Sequence, residues 1–172
     1  MNFFRFINKK TDAPPNKKEL KVLIYSRKEI EKIIQFRFPK HTAVISFYNP
    51  LDSAQDKTYA PVNYAGKPER VFQVALYDIH ISMLRQYCLT YKTYFPEASA
   101  LAQFIYQAKT DGLDIICQCE HGESRSPACA AAILEHFYKN GISIFADYRY
   151  FPNQLVYHKI FDALEKLRGG KI

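Results

Sequence analysis

Cys119, Gly122 and Arg125 are the residues of this chain best suited to chemistry. They lie in CQCEHGESRSPA (117–128), between the apolar run LDII and the helix-forming run CAAAILEHFY. Glycine adopts backbone conformations that other residues resist, so Gly122 allows residues 120–125 to turn sharply from strand to helix. Successive N–H groups in such a turn converge on an anion, and the following helix N-terminus adds its dipole. The expected cradle is therefore the backbone of Glu120, His121, Gly122, Glu123 and Ser124 together with Arg125. The Arg125 guanidinium can fork two hydrogen bonds onto phosphate oxygens. The same positive field favours thiolate over thiol at Cys119. Phosphoryl transfer from a monoester to sulfur needs both parts, an oxyanion cradle and a nucleophile.

Elements must position these residues. LKVLIY (20–25) reads as a first strand, followed by a helix that Ser26 and Glu29 begin as a capping box, with Ile30, Ile33 and Ile34 on one face. AVISFY (43–48) and VFQVALY (71–77) read as further strands, separated by an irregular loop over 51–69. Residues 79–94 suggest a lid or a short helix. A helix opens at Pro96-Glu97 and ends near Gly112. DIICQ (114–118) is the strand that delivers Cys119, and a helix over about 125–139 follows. Residues 142–152 form an aromatic-rich connection before a last helix, 153–167. Strands alternating with helices predict an α/β three-layer sandwich around a mostly parallel sheet of four to five strands. In such sheets ligands bind beyond the carboxyl ends of the strands, where this order puts Cys119.

The 172 residues suffice for one domain with its own core, here expected over 20–172 behind an N-terminal extension, 1–19. A net charge of +7 favours anionic partners, although lysine-rich surfaces also serve solubility alone. Cys88, Cys117, Cys119 and Cys129 fit no disulfide framework, so reduced thiols are expected. No run is apolar enough for a signal h-region or a membrane helix, which predicts a soluble, cytoplasmic protein.

The stretch from Cys119 through Gly122 and Arg125 to Ser126 resembles the Cys-x5-Arg signature of the cysteine-dependent protein tyrosine phosphatase superfamily. Its Ser-Arg-Ser ending resembles the dual-specificity branch, and the glutamate after the cysteine resembles small bacterial and phage tyrosine phosphatases. VALYD78 is similar to the segment carrying the family's general-acid aspartate, and FPN153QLV to the segment opening a late helix. The resemblance implies four catalytic residues. Cys119 is the nucleophile, Arg125 the phosphate ligand and Asp78 the acid, and Ser126 is the hydroxyl that steadies the thiolate. It implies no metal and no cofactor. Two departures stand out. Gln118 occupies the place of the family's usual histidine, and Asp78 lies 41 residues before Cys119, farther than the usual gap.

Each residue also has a plainer reading. Cys119 could be a packed thiol, Asp78 a turn or cap, Ser126 a helix-start serine, and Asn153 a helix cap that also braces the loop. His80 and His121 read as loop or surface residues. Cys117 shares a strand face with Cys119, but Cys-x-Cys without a second pair is a poor metal site. The leading reading is a phosphatase acting on phosphate monoesters, foremost phosphotyrosine in a protein or peptide, through a phosphocysteine intermediate. The alternative is a catalytically silent module that binds phosphate or nucleic acid. Sulfur transfer on a rhodanese-like fold is the weakest of the three. Pocket depth, substrate preference and oligomeric state are not legible in the sequence.

Overall fold

Four parallel strands, Val22–Ser26 (β1), Thr42–Tyr48 (β2), Arg70–Ala75 (β3) and Asp114–Cys119 (β4), form the sheet in the order β1-β4-β2-β3. The structure, a computed structural model, describes residues 19–50 and 59–170. Helices are α1 (Arg27–Phe36), α2 (Tyr91–Tyr94), α3 (Ala98–Thr110), α4 (Arg125–Tyr138), α5 (Ile142–Phe145) and α6 (Gln154–Gly169), with a 3-10 helix at Ile81–Tyr87. Most of the expected 1–19 extension, the first part of the 51–69 loop (51–58) and the last two residues lie outside the described residues.

Alternation along β4 builds the two halves of the core. Ile115, Cys117 and Cys119 face the larger cluster, which includes Leu101 and Ile105 of α3, Ile133 of α4 and Ile160 of α6. Ile116 faces the smaller one with Ile30 of α1, Val44, Val62 and Tyr64. β4 is buried on both faces, as a central parallel strand is. Because β1 and β2 flank it, the chain reverses its winding direction at β4, and a crevice forms at the carboxyl end there. The expected sandwich is the observed one.

The boundaries carry information. The Ser26–Glu29 capping box forms, its side chains and backbone bonding reciprocally. β3 stops at Ala75, two residues before the expected end. The reason is that the next carbonyls serve side chains. Leu76 O accepts from Arg125 Nη1 at 2.7 Å, and Tyr77 O from Tyr94 Oη at 2.5 Å. The last helix runs to Gly169, beyond the expected 167. Among the described residues no helix is long and apolar enough to cross a membrane.

Candidate active site

The loop after β4 is fixed largely by its own carbonyls. Glu120 O accepts from Arg27 N at 3.0 Å, Glu123 O from Phe151 N at 2.8 Å, and Ser124 O from Asn153 N at 3.3 Å and Ala128 N at 3.1 Å. Carbonyls tied outward leave the amides of the turn for something else. No amide of residues 120–124 donates one of the described loop hydrogen bonds. Gly122 has φ +76°, and a Cβ there would sit 2.8 Å from Ser26 N. Both the conformation and the close approach to β1 require glycine.

Arg125 opens α4 and is only 4% exposed. Its Nη1 is spent on Leu76 O, while its Nε is buried with no hydrogen-bond partner among the described residues. Asp78 Oδ2 lies 3.6 Å from this Nε, close enough to pair in charge but too far for a hydrogen bond. A buried guanidinium left partly unsatisfied is costly, and an oxyanion in the turn would complete it. Cys119 is 1% exposed, with Sγ 3.1 Å from Ser126 Oγ.

Asp78 meets this loop from the end of β3. Its Oδ1 accepts from Ser124 Oγ at 2.7 Å and from Asn153 Nδ2 at 2.8 Å. Oδ2 is the oxygen turned toward Arg125, and the side chain is 34% exposed. Cys119, Ser126, Arg125, Ser124 and Asp78 are thus joined in one connected group.

The remaining loop side chains turn away from it. Glu120 pairs with Tyr59 Oη at 3.1 Å and lies 3.8 Å from Arg27, and His121 and Glu123 face solvent. These three can contribute to the cradle through backbone alone. His80 lies outside the group, at the start of the 3-10 helix, where its ring accepts from Ser82 N. Among the described residues no group of three or more His, Cys, Asp or Glu could hold a metal ion.

No protein-family model and no curated protein sequence matches the chain. Solved structures do. PTPMT1 superposes with a TM-score of 0.53 at 14% identity, over 87% of this chain and 92% of that one. The human tyrosine phosphatase-like serine/threonine/tyrosine-interacting protein gives 0.51 at 14% identity, over 84% and 87%. The fold is that of the protein tyrosine phosphatases.

Within this phosphatase fold, three further contacts support the site. Gln118 does not reach the thiol. It is buried, and its Nε2 donates to Cys119 O at 2.8 Å while Oε1 accepts from Ser46 Oγ at 2.6 Å and Tyr64 Oη at 3.1 Å. It clamps the backbone at Cys119 without a titrating group. Tyr64, pushed up to about 12 chiefly by burial, stays a donor. Asn153 caps α6 by accepting from Val156 N, as expected, and its amide also reaches Asp78 and Ile79 O. The Leu76 carbonyl that anchors Arg125 carries no sequence signal at all. Cys117 turns to Cys129, and burial pushes its thiol well up, so it is a packing thiol in this state.

Proposed function

We propose that this chain is a cysteine-dependent phosphatase hydrolysing phosphate monoesters, with phosphotyrosine in proteins as its leading substrate. The observation that supports this most is Arg125, buried and lacking one partner, in the loop whose other end holds Cys119 beside Ser126. A packed structural thiol would need none of that arrangement.

In the proposed reaction the monoester phosphate fills the loop, its oxygens held by backbone amides of 120–125 and by Arg125. Cys119 sulfur attacks phosphorus in line. The S–P bond forms as the ester P–O bond breaks, and Asp78 gives its proton to the leaving oxygen. Oδ1 already accepts two hydrogen bonds, so the proton belongs on Oδ2, the oxygen facing the cradle. Water then attacks the phosphocysteine, Asp78 takes a proton from it, and the S–P bond breaks. Ser126 Oγ donates to the thiolate that departs. The chemistry calls for no metal ion.

Apolar groups beside the mouth support an aryl ester. Phe151, 73% exposed, lines a cavity of 360 Å³ with Ile79, Pro152 and the Asp78–Ser124–Asn153 group. A phosphotyrosine ring can lie against such walls. Four unpaired cysteines suit a reducing, cytoplasmic setting. The test is turnover of an aryl phosphate in the presence of a chelator, with Cys119→Ser alongside. Wild-type turnover that vanishes in the serine variant is expected. Turnover that survives the substitution, or requires a divalent ion, would overturn the proposal, and none at all would leave the silent binding module.

A further inference from the structure

Three adjoining cavities run from the mouth of the site along α6, and together they form a groove with the Tyr91–Asp162 pair between the second and third. The cavity at the mouth shares His80 and Gln154 with a second cavity of 260 Å³, and that one shares Tyr91 and Asp162 with a third, of 340 Å³. Along α6 the lining passes through Gln154, His158, Asp162 and Lys166, each four residues after the last, so one helical face forms one wall. From Gln154 to Lys166 that wall runs about 18 Å at 1.5 Å per residue. An extended peptide covers this in about five residues.

The chemistry changes along the groove. The middle offers Ile81 and Leu155. The far end gathers Lys92, Lys159 and Lys166. Asp162 lies among them, its Oδ2 accepting from Tyr91 Oη at 2.6 Å, and the three lysines outnumber its single charge. Lys159 Nζ lies 4.8 Å over the Tyr91 ring, and Lys92 and Lys166 enter no ion pair among the described residues. A strand of nucleic acid would want open stacking faces. Here aliphatic side chains fill the middle, and one face of the nearest ring is already covered.

Building on the phosphatase reading above, we infer that the groove selects phosphopeptides. Its substrate carries an apolar residue close to the phosphorylated one and an acidic residue about five positions away, seated among the three lysines. Lys92 and Lys166 are then specificity-determining residues, well removed from the reacting atoms.

The experiment compares phosphotyrosine peptides bearing Glu, Gln or Lys five residues from the phosphotyrosine, on either side, with an aryl phosphate as the groove-independent control. In low salt the Glu peptide of one series should exceed its Lys counterpart in kcat/KM by roughly tenfold, the scale of two exposed ion pairs. The preference should shrink as ionic strength rises. Lys92→Glu combined with Lys166→Glu should reverse it and leave aryl phosphate turnover unchanged. Binding of the same peptides to Cys119→Ser, read by fluorescence anisotropy, should follow the same order without turnover.

Equal use of all peptides by a chain that hydrolyses the aryl phosphate overturns the groove and spares the phosphatase. Ordered peptide binding by a chain with no turnover does the reverse. A 5′-phosphorylated oligonucleotide preferred to every peptide, through the same lysines, would overturn the peptide assignment in favour of nucleic acid.

Discussion

Two segments border the same mouth and are built in opposite ways. The loop 119–125 is held by main-chain bonds, its carbonyls accepting from Arg27, Ala128, Phe151 and Asn153 amides, and it is rooted in a buried strand and a buried helix. The segment 76–96 leaves the sheet early. Its carbonyls at Leu76, Tyr77 and Ile79 are met by the side chains of Arg125, Tyr94 and Asn153. Backbone bonds survive most substitutions, whereas a side-chain bond disappears with its residue. The proposed anion site is therefore over-determined, and the segment bearing the proposed acid is tunable. Segments of the second kind lie toward the low end of local stability.

Removing the proposed acid probes the tunable side and has the largest expected effect. Asp78→Asn keeps a carbonyl oxygen for Ser124 and Asn153 but has no acidic proton to give. Turnover of an aryl phosphate with a poor leaving group should fall by about 10² to 10⁴, with substrate binding nearly intact. With a good leaving group the loss should shrink. Equal losses for both would make Asp78 a structural tie, and the two segments would then differ in construction without differing in role.

On the over-determined side, one backbone position is open to attack. Gly122→Ala puts a Cβ 2.8 Å from Ser26 N and 3.1 Å from Ser26 Cα, both backbone atoms of a packed strand, at a positive φ. The expected cost is about 1–3 kcal/mol of stability, measured by denaturant titration, together with loss of oxyanion binding. Retained stability with lost binding would show that the loop gives way locally instead of straining β1.

The same contrast explains what was legible beforehand. The capping box at Ser26, the turn at Gly122 and the strand-then-helix frame around Cys119 follow from neighbours in sequence, and all are present. The end of β3 was misjudged because Arg125, 49 residues beyond Leu76, takes its carbonyl. Gln118 stands out in the sequence only as a departure from the family's histidine, since its partners Ser46 and Tyr64 lie 72 and 54 residues away. The cap and bracing roles of Asn153 were legible, but its partner Asp78, 75 residues away, was not. Local rules reach a few residues, while these contacts come from the order of strands in the sheet.

Asn153 permits a finer cut, because its two jobs can be separated. Serine is also a good N-cap, so Asn153→Ser should keep α6 capped while removing the donor to Asp78 Oδ1. Turnover with a poor leaving group should fall by about threefold to tenfold, the worth of the hydrogen bond to Asp78, at unchanged KM, while loss of the bond to Ile79 O lowers the thermal midpoint slightly. Asn153→Ala should add a loss of about 1 kcal/mol in stability through the missing cap. If the serine variant turns over like wild type, Ser124 alone positions the acid, and the segment is less dependent on side chains than its geometry suggests.

The smallest effect tests whether the loop's foundation can be loosened without touching the chemistry. α4 carries Arg125 at one end and His136 near the other. The His136 side chain is 1% exposed, with Nδ1 2.7 Å from Glu165 Oε1 on α6 and Nε2 2.7 Å from Tyr106 Oη on α3. Burial lowers its pKa, and the Glu165 contact opposes that without cancelling it, while Arg168 and Lys139 add to the lowering. The fold thus favours the neutral ring. Below the ordinary histidine value of about 6.5 the unfolded chain binds the proton more readily. Stability from this group should therefore be complete above that pH and decline as pH falls through and below it. Thermal midpoints measured from pH 7.5 down to 5.5 should drop, and His136→Gln should flatten that slope. Across the same range the ratio of wild-type to His136→Gln turnover should stay constant, since neither segment at the mouth contacts this histidine. A ratio that drifts with pH would mean that the far end of α4 reaches the anion loop, and that the loop's rigidity depends on more than its own backbone bonds.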